Sequence, residues 1–320
     1  MPWGLEAVTM VPFHGAEVDE FFAASPNGRL GTTGELPGTR CGLARAARSE
    51  DHRTMATSMD ELTMSQLGSL RWADMRRRVR AMVDGQVVVD SASAIQVWEP
   101  YRVVGCYAVP TADVVAPLGD PQVVDAVAEH APILTPDDPF AIHTTPGTVY
   151  DLQADGRTLR GAGFRPRDPD LAGHVLLDWS AFDEWREEDQ TAIGHPHDPF
   201  QRIDCLATSR HVVVTVGDTV LAESRRPTLL LETHLPPRHY FPREDVRVDL
   251  LVPSDTVTVC AYKGQATYWS AVVGDHVVPD VAWTYTDPLT DAEPVRDLIC
   301  FYDERVSLAV SAASTGSEGV

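Results

Sequence analysis

Lysine is nearly missing from this sequence: 25 arginines stand against a single lysine, Lys263. An ammonium is a compact point charge and a guanidinium a planar fork, so the two do not exchange freely. The one position that keeps the ammonium is marked by counting alone. Positive charge as a whole is scarce, with 47 acidic residues against 26 basic ones and a formal net charge of -21. Affinity for phosphate backbones and anionic membrane surfaces comes from clustered Lys and Arg, so neither nucleic acid nor a membrane is expected as a partner. The only dense basic run, Arg76-Arg77-Arg78 with Arg80, reads as a helix end or strand lead-in.

No apolar run reaches the roughly 18 residues of a membrane span. The acidic, Gly/Pro-broken N-terminus also lacks the basic start and apolar centre of a secretion signal. The five cysteines (Cys41, Cys106, Cys205, Cys260, Cys300) are odd in number and scattered, without a Cys-x-x-Cys pair. Neither a disulfide framework nor a zinc site is suggested by that spacing. The expectation is a soluble, cytoplasmic protein with free thiols, no metal or cofactor, and a small-molecule substrate or ligand as partner. Its oligomeric state stays open.

What is present is a β grammar repeated. A chain of 320 residues has room for two domains. Residues 1–72 show no sustained period and read as a poorly ordered extension, with Met55, Met59 and Met64 as alternative translation starts. Val79–Val83, the turn Asp84-Gly85, Gln86–Ser91, Ala94–Glu99 and Tyr101–Pro110 follow as strands. The same order returns in Val212–Val216, Gly217-Asp218, Thr219–Ser224 and Thr228–Glu232. Eight positions separate Ser91 from Glu99 and Ser224 from Glu232 alike; Pro110 matches Pro242, Pro146-Gly147 matches Lys263-Gly264, and Phe164 matches Trp283. The organisation read from this is β repeat one at 73–177, a helix and linker at 178–207, β repeat two at 208–312 and a disordered tail at 313–320. The linker helix rests on Ser180 as N-cap with acids in the first turn and Phe182 and Trp185 on one face. Asp120–His130 reads as a second helix inside repeat one.

Glu232-Thr233, Arg238-His239-Tyr240-Phe241-Pro242, Asp245-Val246, Cys260-x-Tyr262-Lys263-Gly264 and Tyr268 resemble the bacterial "domain of unknown function" family numbered four-twenty-seven, also labelled a nucleotidyltransferase domain. The resemblance covers residues 75 to 312 as tandem copies and implies Mss4-like, or β-tent, antiparallel β domains. Many proteins of that type hold zinc through paired Cys-x-x-Cys motifs, which this chain lacks. Ala261 stands where the family motif has Pro, and Pro146 stands in repeat one where repeat two has Lys263. A Lys-based pocket is therefore expected in repeat two or between the repeats.

The chemistry-bearing residues cluster there. Glu232 ends an apolar strand after Leu229-Leu230-Leu231, where partial desolvation suits a carboxylate for acid/base work or where it pairs with an arginine structurally. Lys263 lies in a Tyr-Lys-Gly turn and is the candidate partner, electrostatic or, with a lowered pKa, covalent. Arg238, Tyr240, Tyr262, Tyr268 and Trp269 supply a cation and aromatic surfaces, with Glu99 as the repeat-one counterpart of Glu232; each of the aromatics also reads as core. Cys260, among valines, reads as a buried inert thiol. His195-x-His197 with Asp198, and His234 with His239, lack the spacing that puts metal ligands on one face. No Asp-x-Asp at strand spacing and no phosphate loop supports nucleotidyl transfer. Two readings follow: a metal-independent acid/base enzyme of lyase, isomerase, cyclase or hydrolase type, or a non-catalytic small-ligand-binding or scaffold protein.

Overall fold

The computed structural model describes residues 56–125, 133–154 and 156–311. The tail at 313–320, most of the N-terminal extension, Met55 and Cys41 lie outside the described residues. Apolar alternation broken by Gly, Asp and Pro turns makes the described chain mainly β. After a short helix α1 (Met59–Ser65), the first half contributes β1 (Arg71–Asp74), β2 (Val79–Val83), β3 (Gln86–Ser91), β4 (Ile95–Trp98), β5 (Cys106–Pro110), β6 (Gln122–Val124), β7 (Gly147–Ala154), β8 (Arg157–Pro166), β9 (His174–Leu177), β10 (Glu184–Glu187) and β11 (Gln190–Ala192). They form a seven-stranded sheet ordered β1-β4-β5-β9-β8-β7-β6 and a four-stranded sheet β11-β10-β2-β3.

The second half contributes β12 (Ile203–Ala207), β13 (His211–Val216), β14 (Thr219–Ser224), β15 (Thr228–Glu232), β16 (Arg238–Phe241), β17 (Leu251–Cys260), β18 (Gly264–Val273), β19 (His276–Thr284), β20 (Ile299–Phe301) and β21 (Ser307–Ser311). Its sheets run β12-β15-β16-β20-β19-β18-β17 and β14-β13-β21. Adding eleven to each strand number of the first large sheet gives the second, and all pairings within these sheets are antiparallel.

Local chemistry repeats as well. Asp84 and Gly85 both take positive φ, 49° and 76°, as a two-residue hairpin turn of type I′ requires, and Gly217 opens the matching turn at 55°. Ser91 Oγ donates to Asp113 at 2.6 Å, and Ser224 Oγ to Asp245 at 2.7 Å. The ladders also fix which residues correspond. Ala108 and Phe164 both pair with Leu176, as Tyr240 and Trp283 both pair with Cys300. One sequence match shifts: Val149 opposes Phe164 and Tyr268 opposes Trp283, so Gly147 answers to Ala266 rather than Gly264. A shared Gly-initiated strand start hides that two-residue offset in the sequence.

In each half the two sheets pack face to face. Val79, Ala81, Val89 and Trp185 meet Tyr107, Val109 and Leu177 in the first; Val212, Val214 and Leu221 meet Phe241, Val281 and Phe301 in the second. The opposite face of each large sheet carries a second cluster. In the first half it is Ile95, Val97, Ala108, Phe164 and Leu176; in the second, Leu230, Tyr240, Tyr268, Trp283, Tyr285 and Cys300.

The expected linker helix is not helical. Trp179–Ala181 is a 3-10 turn capped by Asp178, which accepts from Ser180 N–H at 2.9 Å, and Glu184–Glu187 is a strand paired with β2. Trp185 and Glu187 alternate inward, and Trp185 packs against Tyr107, Trp179 and Phe182 at ring distances of 5.2, 5.4 and 4.8 Å. Burial of that tryptophan on a sheet overrides the local helix signal. The linker therefore shortens: β10 and β11 complete the first half, and β12 already belongs to the second. In the second expected helix, Gln122–Val124 is likewise strand, paired with β7, and residues 126–130 lie outside the described residues.

A Cβ at Gly147 would sit 2.4 Å from both the Arg165 carbonyl oxygen and the Phe164 ring. Gly147→Ala is expected to destabilise the protein by about 1–3 kcal/mol through overpacking. Urea unfolding with an unchanged m-value and a lowered midpoint checks this.

Candidate functional site

The site grows out of strand parity. Along β15, Leu230 faces the aromatic cluster and Glu232, two residues on, shares that face. From the other side of the sheet edge comes the turn before β18, where Gly264 takes φ 100° and Lys263 projects. Lys263 Nζ donates to Glu232 Oε2, and the two side chains are only 11% and 6% exposed. Gln201 Nε2 donates to the other Glu232 oxygen at 3.1 Å. Burial works against the Lys263 charge, but Cys260, Glu232 and Tyr240 and the hydrogen bond to Glu232 outweigh it, so its pKa is raised. That corrects one sequence expectation: an amine held protonated is not a Schiff-base nucleophile at neutral pH. Lys263 is a fixed positive charge.

Behind the pair stand the aromatics. Tyr240 is fully buried and accepts from Trp283 Nε1 at 3.1 Å, and Tyr268 shares hydrogen bonds with Thr258 (3.0 Å) and Tyr302 (3.2 Å). Arg238 lies at the far end, stacked over Trp283 and Tyr302 and bridged to Glu304 at 2.9 and 3.1 Å. Cys300 feels the charges of both Arg238 and Lys263, so the face carries a cation at each end. Trp269 is not on it: neighbours on one strand point to opposite sides, and Trp269 packs into the other core with Arg243 over its ring at 5.3 Å. Glu99 is also elsewhere. It is 0% exposed in the first half, held by His143 Nδ1 at 3.1 Å and Thr144 N–H at 3.0 Å, with His143 stacked on Phe164.

Tyr262 faces a different way, onto the segment joining the halves. Its hydroxyl accepts from Asp198 N–H at 2.8 Å, and its ring meets His195 and His197 at 5.6 and 5.3 Å. His197 joins the halves: Nδ1 lies 2.7 Å from Glu187 Oε2 and Nε2 lies 2.6 Å from the Ala261 carbonyl. Both partners only accept, so both ring nitrogens carry protons and the ring is an imidazolium. Glu187 also accepts from Arg77 and from Tyr107 Oη, each at 2.6 Å. A cleft of about 310 Å³ opens here, lined by Arg77, Glu187, His197, Gln201, Tyr262 and Asp291. Neither Glu232 nor Lys263 lines this cleft or a second hollow of about 420 Å³ under Trp72 and His174, but the smaller cleft is bordered by Gln201, which bonds Glu232, and by Tyr262, which precedes Lys263. We place the site at the smaller cleft because the perturbed ionisable groups converge there.

Sequence reading missed His195, His197 and Gln201 as parts of this site, weighing the histidines only as metal ligands. The available signal was a His-x-His-Asp segment in the loop between two β patterns. Among the described residues, no group of three His, Cys, Asp or Glu side chains is placed to hold a metal ion. No described helix is long and apolar enough to cross a membrane.

The molecule is thus a mainly β protein of stacked antiparallel sheets, with a buried lysine–glutamate pair beside a cleft between its halves. Residues 204–312 match the family model described as Domain of unknown function (DUF427), a span that runs from the start of β12 to just past β21. A comparison with curated proteins finds no match.

The His197 bridge has a pH signature. Burial lowers the His197 pKa, but the hydrogen bond and charge of Glu187 and the Ala261 carbonyl outweigh it, so the net shift is upward. Burial raises the Glu187 pKa, and the bonds from His197 and Tyr107 with the charges of His197 and Arg77 outweigh that, so it is lowered. A raised histidine contributes stability fully below about pH 6.5 and loses it as pH climbs through the folded pKa. His197→Phe is expected to cost about 2 kcal/mol at pH 6, with the gap to wild type narrowing toward pH 9. Thermal unfolding of both proteins across that range measures it.

Proposed function

We propose that this protein is a metal-independent enzyme acting on a small organic substrate by acid/base chemistry, of lyase, isomerase, cyclase or hydrolase type, at the cleft between its halves. The observation that carries the reading is the direct contact of Glu232 and Lys263 beside that cleft. Lys263, kept charged by its neighbours, meets negative charge as it develops on the substrate, and Glu232 serves as its acid/base partner. Preorganised charge in a water-poor site is worth far more than the same charge in water. Tyr262 borders the cleft, and Tyr240, Tyr268 and Arg238 back the pair and orient what binds to it.

The shared strand order supports descent of both halves from one duplicated module of the β-tent type. The acidic balance of -21 supports a cytoplasmic protein without nucleic-acid or membrane partners. One observation favours a second reading, a non-catalytic ligand-binding or scaffold protein: the Lys263–Glu232 pair is closed on itself, and a closed pair also serves as a strut.

Wild type and Lys263→Met, each incubated with small-molecule extract and read by mass spectrometry, separate the two. A species consumed or formed by wild type alone, with turnover at least about 100-fold lower in the variant, is the expected result. Unchanged pools with the same compound retained by both proteins would sink the enzyme reading.

A further inference from the structure

His195 is the strongest group beside the pair that carries no assigned role. Its Nδ1 lies 2.9 Å from the Pro196 carbonyl oxygen. A carbonyl only accepts, so Nδ1 bears the proton and Nε2 keeps its lone pair. That Nε2 has no hydrogen-bond partner among the described residues, yet is not sealed off as both nitrogens of His239 are. Position is fixed by its neighbours. The ring stands edge-on to Tyr262, the residue before Lys263. Gly194, at φ 76°, lets the joining segment approach so closely that a Cβ there would lie 3.2 Å from Ala261 N.

The titratable groups facing His195 are His197, Glu232, Lys263 and Tyr262. Burial lowers its pKa; the Pro196 carbonyl raises it, His197 lowers it, Glu232 raises it and Lys263 lowers it, with the net shift downward. The contrast with Glu232 matters. Each Glu232 oxygen already receives an N–H, one from Lys263 and one from Gln201, so the carboxylate is a restrained base. The uncommitted lone pair belongs to the imidazole.

We propose that Nε2 of His195 is the proton acceptor of the Lys263 site, an inference that rests on the acid/base function above. The substrate class is a carbonyl or carboxyl compound with an acidic C–H beside that group. Nε2 takes the proton as the C–H bond breaks, and the electron pair stays on the substrate as an enolate. The Lys263 ammonium meets the enolate oxygen, and the imidazolium returns its proton either to the enolate at another carbon, giving the isomer, or to a group that the enolate expels from the neighbouring carbon. Glu232 keeps Lys263 in place and charged throughout.

The test uses the full-length protein and a variant that preserves the local hydrogen bond. His195→Asn keeps an N–H near the Pro196 carbonyl and removes Nε2. Nitrogen-15 spectra of the histidines are expected to show His195 protonated at Nδ1 and bare at Nε2 at pH 7, titrating below about pH 6.5. Turnover of the extract by wild type should rise with pH through that inflection, and His195→Asn should lose about 100-fold or more, together with the acid limb. A proton found on Nε2 at pH 7 overturns the proposal whatever the turnover. Active wild type with equally active His195→Asn overturns the base alone, whereas inactive wild type overturns the enzyme reading and the base with it.

Discussion

A buried ammonium with one counter-ion is the constraint around which the second half is arranged. An isolated charge at that depth would be neutralised rather than tolerated, so Lys263 stays ionised because Glu232 faces it and accepts its hydrogen bond. Keeping Glu232 in place then calls on Gln201 from the joining segment. The same segment holds the Lys263 turn from behind, through His197 on the Ala261 carbonyl and Asp198 N–H on Tyr262. The geometry of the pair and the docking of the two halves are thus one problem. A change that loosens the halves loosens the site.

The first half meets the same constraint differently. Glu99 corresponds to Glu232 by strand register, and it too is buried and needs a partner. His143 supplies it, with its ring stacked on Phe164 at 3.6 Å, where the second half has Trp283. Around it Ala108 and Leu176 stand where the second half has Tyr240 and Cys300. One face is filled by its own apolar side chains and the other is rich in hydroxyls, thiols and charge. That asymmetry puts the polar face in the second half, and the first half braces it through Glu187, Tyr107 and Arg77.

Strands, hairpins and the repeat of strand order were legible in the sequence because they rest on local rules: period-two alternation, positive-φ turn residues and fixed spacing between Ser91 and Glu99 or Ser224 and Glu232. The Glu232–Lys263 contact was legible as a pairing of chemistry, since the sole lysine and a strand-end carboxylate, 31 residues apart, both stand out by residue type in one β repeat. The Trp185 segment was misread because its acid-rich local signal competes with a tertiary one, the burial of a tryptophan among Tyr107, Trp179 and Phe182. Trp269 could be set apart from Tyr268 only by knowing which sheet face bears the site. His197 was visible only as part of a His-x-His-Asp segment, because its two partners are 10 and 64 residues away along the chain and belong to different halves.

The scarcity of lysine has a physical explanation in this setting. A guanidinium presents five N–H donors in a rigid fork and cannot be buried well unless each finds an acceptor. At Arg238 that demand is met by Glu304 and by the faces of Trp283 and Tyr302. At position 263 the corner offers one carboxylate oxygen, with the other already taken by Gln201. Arginine there would bury unpaired donors, each costing about 1–3 kcal/mol. An ammonium leaves fewer donors to satisfy. A composition that uses arginine nearly everywhere else therefore retains lysine where a small, rotatable point charge is what the geometry admits.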